Sequence, residues 1–444
     1  MKKRVGFLLT ALMACVVVAM AQQKQYQVYG VGFYNLENLF DTVHDVGKND
    51  VEYLPNGANK WGSVKYTNKL HNMARAVADM GTDVLKGVGC AVIGVSEVEN
   101  ANALTDLVNE PELKARGFKF CHIEGPDRRG VDCALLYNPK LFALERAKLV
   151  PYVPELEKDS LYVTRGFLTV SGMLGGDHVA FIVCHWPSQY IGSFYRESAG
   201  RQVRAVKDSL LEEDPNCKVL VMGDMNDDPH SRSMSRELRA RRDFKDMRPH
   251  DMYNPWWKIL DNGTGTLTYQ GRWNLFDQIV LAPNLLNMNE EERDFTQLKY
   301  WKAQIQRMDY LMQTEGSYKG SPKRTHAGGV WLNGYSDHLP VVVYLMKEKE
   351  AVMKDIAKWN EGEKARREQK IALGLDPDQP IIEEFVNPAK HAAPTGKEAP
   401  EDDGVGTGNA NVTEGVENAQ GNATGNATEN TPGKATDNVN VDDD

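Results

Sequence analysis

Asn35, Glu97, His185, Asp224, Asn226, Asp277, Asp337 and His338 are the side chains of this sequence best suited to chemistry. They lie in six short blocks: GFYNLEN, VIGVSEVEN, VCHWPSQ, VLVMGDMND, FDQIVL and YSDHLP. Nearly every block puts a carboxylate, carboxamide or imidazole at the end of an apolar, β-branched run, where a sheet ends and side chains can converge on one pocket. Oxygen-rich ligands with few thiols suit a hard cation such as Mg2+, with Mn2+ or Ca2+ as alternatives. Histidines beside carboxylates suit proton transfer. Asp224 and Asn226 are two residues apart, so on extended backbone they point to the same side. Such a pair can hold a cation and a phosphate together, although both residue types are also good turn formers.

Those side chains need a sheet to carry them. Strand-like runs cover residues 28–34, 91–95, 134–137, 179–184, 219–222, 278–281 and 341–345. Helical patterns fall between some of them. Residues 65–80 place Leu70, Met73 and Val77 on one face, and residues 193–211 run on toward Asp214-Pro215, a plausible stop. Alternating strands and helices predict a mixed α/β sandwich, with residues 22–346 long enough for one large domain. Residues 347–386 then read as a charged helical extension packed loosely on that domain. Glu350–Lys354 and Glu363–Arg367 are helix-supporting pairs, and Val352, Ile356 and Trp359 form a narrow apolar stripe. Residues 387–444 turn to Gly, Asn, Ala, Thr, Pro and acid, with the echo GNATGNAT; the composition predicts an acidic, disordered tail.

The first 21 residues read as an export signal. Lys2, Lys3 and Arg4 precede an apolar stretch too short to span a bilayer comfortably, and Ala19-Met20-Ala21 forms a small-x-small cleavage pattern. The expectation is export to the periplasm, the cell surface or the medium, with a lipoprotein anchored through Cys15 as a variant. Removing the tail's −9 (residues 391–444) and the leader's +3 from the total of −10 leaves −4 for residues 22–390. So mild an acidity argues neither for nor against a polyanionic substrate. Cys90, Cys121, Cys133, Cys184 and Cys217 show no CxxC spacing and read as small buried hydrophobes rather than a zinc site.

Taken together, the six blocks resemble the endonuclease/exonuclease/phosphatase superfamily over residues 29–344, in the secreted deoxyribonuclease-like branch. The resemblance implies a DNase I-like α/β fold: a four-layer sandwich of two packed mixed β-sheets flanked by helices. It implies that Asn35, Glu97, Asp224 and Asp337 hold a metal ion. It makes His338 the catalytic imidazole and Asp277 the acid that hydrogen-bonds it. Asp224 would orient or deprotonate the attacking water, while Asn226 and Arg165 contact the phosphate, with Arg129 a further candidate. His185 would share the proton transfer, with Asp132 a candidate partner. Glu99 is a weaker alternative to Glu97. The activity implied is exported, metal-dependent phosphodiester hydrolysis, foremost of DNA or RNA, by a monomer without stable membrane insertion. Trp256-Trp257 reads as a loop anchored in the core rather than a membrane wedge. Three alternatives stay open at this point: a sphingomyelinase-like enzyme, an inositol-phosphate phosphatase, and a non-catalytic surface interaction protein on the same fold.

Overall fold

The computed structural model describes residues 24–385 apart from 157, 159–161, 290 and 384. The expected leader and tail lie outside the described residues. Two large mixed sheets stack face to face. In the first, the order from edge to edge is β14 (Lys299–Ile305), β17 (Val341–Glu348), β1 (Tyr26–Leu39), β2 (Cys90–Val98), β4 (Asp132–Tyr137) and β3 (Lys119–His122). In the second it is β18 (Ile381–Ile382), β5 (Phe142–Val150), β6 (Phe167–Leu174), β7 (Asp177–His185), β8 (Lys218–Asp224), β13 (Asp277–Leu281), β10 (Met252–Tyr253) and β9 (Ala240–Arg241), while β11 (Leu267–Tyr269) pairs with β12 (Arg272–Asn274) and β15 (His326–Ala327) with β16 (Val330–Trp331) in two small separate ribbons. At the middle of each sheet lies a parallel pair, β1 with β2 and β7 with β8. The strands beside them, β17 and β13, run antiparallel. The C-terminal ends of four strands and the N-terminal starts of two therefore meet at one end of the sandwich.

Alternation explains the layers. Val31, Phe33, Val92, Phe181, Val183, Leu220, Met222, Ile279 and Val343 point inward and form the core between the sheets. The alternate positions, Tyr34, Ile93, Val95 and Val342, pack outward against Leu70, Met73 and Val77 of the helix Ser63–Asp79 and Leu104 of the helix Ala101–Asn109. On the second sheet, Ile182, Val219, Val221 and Val280 pack against Ala199 and Val203 of the helix Ser193–Glu213. This is the expected four-layer sandwich. Each buried Val, Leu, Ile or Phe contributes about 1.5–3 kcal/mol, so sheet strands buried on both faces are the stable part of the domain. Trp256 is fully buried and donates its indole N–H to the Ile279 carbonyl at 2.9 Å. No helix among the described residues is long and apolar enough to cross a membrane.

The charged extension is more structured than its composition suggests. It forms two helices, Lys349–Glu361 and Glu363–Ala372, and then returns so that β18 pairs in parallel with β5. Its root is Lys347, a buried ammonium that bonds Asp177 and Asp355, each at 2.7 Å, and the Gly175 carbonyl at 3.0 Å. A buried ion held by three acceptors resists being pulled back into water one partner at a time.

Two glycines set the approach of strands near the functional end. A Cβ on Gly94 would lie 2.5 Å from the Met222 sulfur across the core, and one on Gly223 would lie 2.2 Å from the Cys184 carbonyl oxygen of β7. Gly223 pairs with Cys184 one step before the pair His185 and Asp224. The Gly223→Ala variant should therefore lose about 1–3 kcal/mol of stability and also activity, because the clash is with backbone. Urea denaturation alongside a turnover assay checks this; unchanged stability would remove the claimed role of the close approach.

Candidate active site

Beyond the last apolar layer, the inner-face positions become polar. Asn35 on β1, His185 on β7, Asp224 on β8 and Asp277 on β13 continue the inward rows of Val31 and Phe33, Phe181 and Val183, Leu220 and Met222, and Ile279 and Leu281. Register aligns three of them, since Asp224 is the cross-strand partner of both His185 and Asp277. Cross-strand partners present their side chains to the same face, so the three form a row.

Glu97 arrives differently. Alternation from Val92 would send position 97 outward with Ile93 and Val95. A register shift between Ser96 and Val98 and a backbone φ of 59° at Glu97 turn it inward. Its Oε2 accepts the Asn38 N–H at 3.0 Å. The chain then enters the helix Ala101–Asn109, where Asn100 accepts the N–H groups of Asn102 and Ala103. Two other strand ends turn by one common device, a side-chain oxygen accepting the N–H two residues on. Asn35 Oδ1 takes the Glu37 N–H and Asp224 Oδ1 takes the Asn226 N–H, both at 2.9 Å. Glu37, Asn38 and Asn226 also have positive φ, at 48°, 58° and 49°. Left-handed backbone at non-glycine residues costs on the order of 1–3 kcal/mol each and gathers at functional sites.

The functional atoms converge. The Asn35 amide nitrogen donates to Asp224 Oδ2 at 3.1 Å and Glu97 Oε1 at 3.3 Å. His185 Nε2 stands 3.7 Å from Asp224 Oδ2 and 3.9 Å from Glu97 Oε1. His338 Nε2 stands 3.8 Å from the same Asp224 oxygen, while its Nδ1 bonds Asp277 Oδ2 at 2.7 Å. Asp337 Oδ1 is 3.9 Å from His338 Nε2. The loop bearing Asp337 and His338 is tied to β1 through Ser336, whose hydroxyl donates to the Asn35 carbonyl at 2.7 Å and accepts the His338 N–H at 3.1 Å.

Burial and charge push these groups apart. Burial drives Asp224 up to about 7 against the pull of His338, with Asp277 and Glu97 adding to the push. Burial also works against a charged His338, yet Asp277, Asp224 and Asp337 together hold it well above the ordinary imidazole range. Burial, joined by the positive fields of Arg165, Arg129 and His338, holds His185 well below it. An imidazole kept charged and an imidazole kept neutral, both facing one carboxylate, suit opposite halves of a proton transfer.

Several residues outside the sequence reading complete the site. Arg324 donates to Asp337 Oδ2 at 2.7 Å and to Glu37 Oε1 at 3.4 Å. Glu37 also accepts the Thr325 N–H at 2.6 Å, and burial, with Asp337, pushes its carboxyl up to about 7. Lys69, buried on the helix Ser63–Asp79, bonds the Thr325 hydroxyl at 2.7 Å and the Tyr335 carbonyl at 2.5 Å. Arg324 sits in a polar run, KRTH, that carries no periodic signal; only Ser336, beside Asp337, could have been suspected from position.

Of the expected phosphate contacts, Arg165 is placed elsewhere, and so is the expected partner of His185. Arg165 is 2% exposed, donates to Asp127 at 3.1 Å, and braces the Trp186 carbonyl at 3.4 Å. That same carbonyl accepts the Asn226 amide at 3.0 Å. Arg165 therefore lies behind the site, whereas half-buried Arg129 bonds the Asn38 carboxamide next to Glu97. Asp132 bonds His122 at 3.1 Å and the Gly125 N–H at 3.0 Å, not His185. His185 Nδ1 is buried with no hydrogen-bond partner among the described residues. Glu99 accepts the Asp41 N–H at 2.6 Å, away from the cluster.

The donor set fits a hard divalent cation. Glu97 and Asp224 bring two buried carboxylates onto one carboxamide, and Asp224, Asp277 and His338 offer ligand atoms within 4.8 Å of one another. Of the expected ligands, Asn35, Glu97 and Asp224 are brought together, whereas Asp337 spends one oxygen on Arg324.

The family model described as Endonuclease/Exonuclease/phosphatase family matches residues 30–347. A search of the curated proteins finds no match. Among solved structures, the chain is similar to an endonuclease/exonuclease/phosphatase family protein from Bacteroides thetaiotaomicron, at 15% identity and a TM-score of 0.45, over 74% of this chain and 98% of that one. It is similar to ANGEL2, a 2',3'-cyclic phosphatase, at 13% identity and 0.48, over 74% and 99%. It is also similar to D. rerio TDP2 complexed with single strand DNA product, at 12% identity and 0.43, over 72% and 99%.

A carboxyl whose folded pKa is raised stabilises the fold fully only below its ordinary value and loses that contribution as pH rises through the folded value. Asp224 and Glu37 both sit near 7. The metal-free protein should therefore lose melting temperature as pH climbs through about 7, and Mg2+ should restore more of it at pH 8 than at pH 6. Differential scanning fluorimetry with and without EDTA reads this directly; a cation effect that shrinks with pH would contradict it.

Proposed function

Because the chain belongs to the endonuclease/exonuclease/phosphatase family, we propose that it is a divalent-cation-dependent phosphodiesterase that hydrolyses nucleic acid outside the cytoplasm. Family membership makes it a hydrolase of phosphate esters. The observation that carries the finer reading is the 2.7 Å bond from His338 to Asp277, with His338 Nε2 and His185 Nε2 facing one oxygen of Asp224.

In this reading a cation, preferably Mg2+, held by Glu97 and Asp224 beside Asn35, would neutralise charge on the phosphoryl oxygens. Asp224 orients the attacking water. His338, fixed by Asp277 through Nδ1, donates a proton from Nε2 to the leaving oxygen of the phosphodiester. Neutral His185, which faces the same Asp224 oxygen, accepts the proton of the attacking water. Asn226 and Arg129 steady the phosphoryl oxygens, and Arg165 keeps the Trp186 carbonyl in place for Asn226. The water oxygen bonds phosphorus in line as the bond from phosphorus to the leaving oxygen breaks, giving a phosphomonoester and a free hydroxyl.

A polynucleotide substrate draws support from the mouth of the site. The turn Gln189–Ile191 follows the His185 loop directly, and Gln189 donates to the Asn226 carbonyl at 3.0 Å. Tyr190 on this turn is 79% exposed. An exposed aromatic anchored beside a phosphate site suits a stacked base, a contact worth about 1–3 kcal/mol. The export pattern of residues 1–21 supports action outside the cytoplasm.

Purified protein should nick supercoiled plasmid with Mg2+ and stop with EDTA. His338→Ala should fold normally and lose about a hundredfold to ten-thousandfold in rate; near-normal turnover of that variant would refute the site. Inactivity of the wild type on DNA and RNA, with activity on sphingomyelin or inositol phosphates, would refute the nucleic-acid reading and keep the phosphoesterase. Tyr190→Ala should raise KM for an oligonucleotide by roughly tenfold and leave a small nitrophenyl phosphodiester unaffected. Equal effects on both substrates would rule out stacking.

A further inference from the structure

We propose that His178, Asp214 and Cys217 form a second metal site, for a divalent ion of the zinc class, at the opposite end of β7 and β8 from the candidate active site. The two strands that end in His185 and Asp224 begin beside these residues. His178 is the second residue of β7, Asp214 caps the helix Ser193–Glu213, and Cys217 immediately precedes β8. At about 3.3 Å per residue, His178 lies roughly 23 Å along β7 from His185.

The geometry supports a site rather than an ordinary ion pair. One ligand atom from each of the three residues lies within 4.8 Å of the others. His178 Nδ1 is 3.0 Å from Asp214 Oδ2. Asp214 spends its other oxygen on the Asn216 N–H at 2.9 Å, so Oδ2 is the one turned toward the cluster. The far nitrogen of the ring, Nε2, faces Glu145 Oε2 at 3.7 Å, and the Trp359 indole donates to Glu145 Oε1 at 3.4 Å. A carboxylate behind the ring is what orients a metal-bound imidazole. Here that carboxylate is held in turn by the C-terminal extension, beyond the residues that the family model matches.

Imidazole, carboxylate and thiolate are the donor mixture of tetrahedral zinc, and a thiolate discriminates against Mg2+. All three residues line a chamber of about 470 Å3 between the second sheet and the extension, roofed by Trp359 and Arg366. The chamber gives a fourth ligand, water or a small anion, access to the ion. Binding replaces the Cys217 S–H bond by a sulfur–metal bond and releases that proton to solvent, while the Nδ1–H that His178 gives to Asp214 is displaced, so that Nδ1 offers its lone pair and the ring's hydrogen ends on Nε2, toward Glu145.

Cobalt(II) tests the site independently of catalysis, because only a thiolate ligand produces sulfur-to-cobalt charge transfer in the near ultraviolet. The full chain, held in excess Mg2+ to fill the oxygen-rich site, should take one equivalent of Co2+ with that band and with visible bands of four-coordinate cobalt. Cys217→Ser should lose the charge-transfer band, and Glu145→Gln should bind roughly tenfold to a hundredfold more weakly, with folding verified by circular dichroism. Absence of the band in wild type at saturating Co2+, or its survival in Cys217→Ser, overturns the proposal. If Cys217→Ser fails to fold, His178→Gln is decisive: an unchanged titration in that variant overturns the proposal, and a weakened one supports it.

Discussion

Register between β7, β8 and β13 is the constraint on which the rest of this molecule depends. His185, Asp224 and Asp277 face one another because each is a cross-strand partner in the second sheet. They face inward because each lies at the same parity as the apolar residues below it. The core and the site are therefore one feature read at two depths. A slip of one residue in β8 would take Leu220 and Met222 out of the core between the sheets and send Asp224 with them to the helix side in the same motion. Burial of the core thus enforces the geometry of the chemistry.

Placing so many acids at the end of a hydrophobic core needs compensation, which comes in two layers. In the nearer one, Asn35 donates to Asp224 and the charged His338 stands 3.8 Å from the same carboxylate. In the outer one, Arg324 joins Glu37 to Asp337, and Lys69 fastens the Thr325 and Tyr335 ends of that loop to a helix on the far side of the first sheet. Asp337 is drawn below its ordinary range despite burial, because Arg324 and His338 stand beside it. Removing one member of such a network strands the remaining charge, which is more damaging than never having had the pair. The helix layer, not only the sheets, therefore supports the loop that carries His338.

Much of this was legible in sequence because strand ends are local. An apolar, alternating run followed by a polar residue marks Asn35, His185, Asp224 and Asp277, and the core helices show in the spacing of Leu70, Met73 and Val77. What was not legible depends on contacts distant in the chain or on backbone exceptions. Glu97 itself was legible in sequence, but the bulge and left-handed φ that turn it into the site were not, and simple alternation would have sent it outward. Arg165 stands in a run that suggests a phosphate contact, yet Asp127, 38 residues earlier, captures it in the interior. Arg324 meets Glu37 across 287 residues. β18 is two residues long, below the length at which any pattern can form, and it gains its place by pairing with β5 rather than by its own propensity.

The two histidines are not equivalent, and the difference is built into their partners. His338 gives Nδ1 to Asp277, so its tautomer and its positive charge are both fixed by a buried carboxylate. His185 Nδ1 has no such partner among the described residues: the acid that sequence suggested, Asp132, is occupied by His122 and Gly125, and burial, joined by the fields of Arg165, Arg129 and His338, holds the ring neutral. A buried ring nitrogen without a hydrogen bond costs about 1–3 kcal/mol, a penalty that pairing with Asp132 would have removed. A carboxylate at that nitrogen would also have raised the basicity of His185 and made it a second copy of His338. Leaving it unpartnered keeps one imidazole neutral 3.7 Å from Asp224 while the other stays charged 3.8 Å from the same oxygen. The unsatisfied atom is thus the structural condition for two opposite protonation states within one pocket.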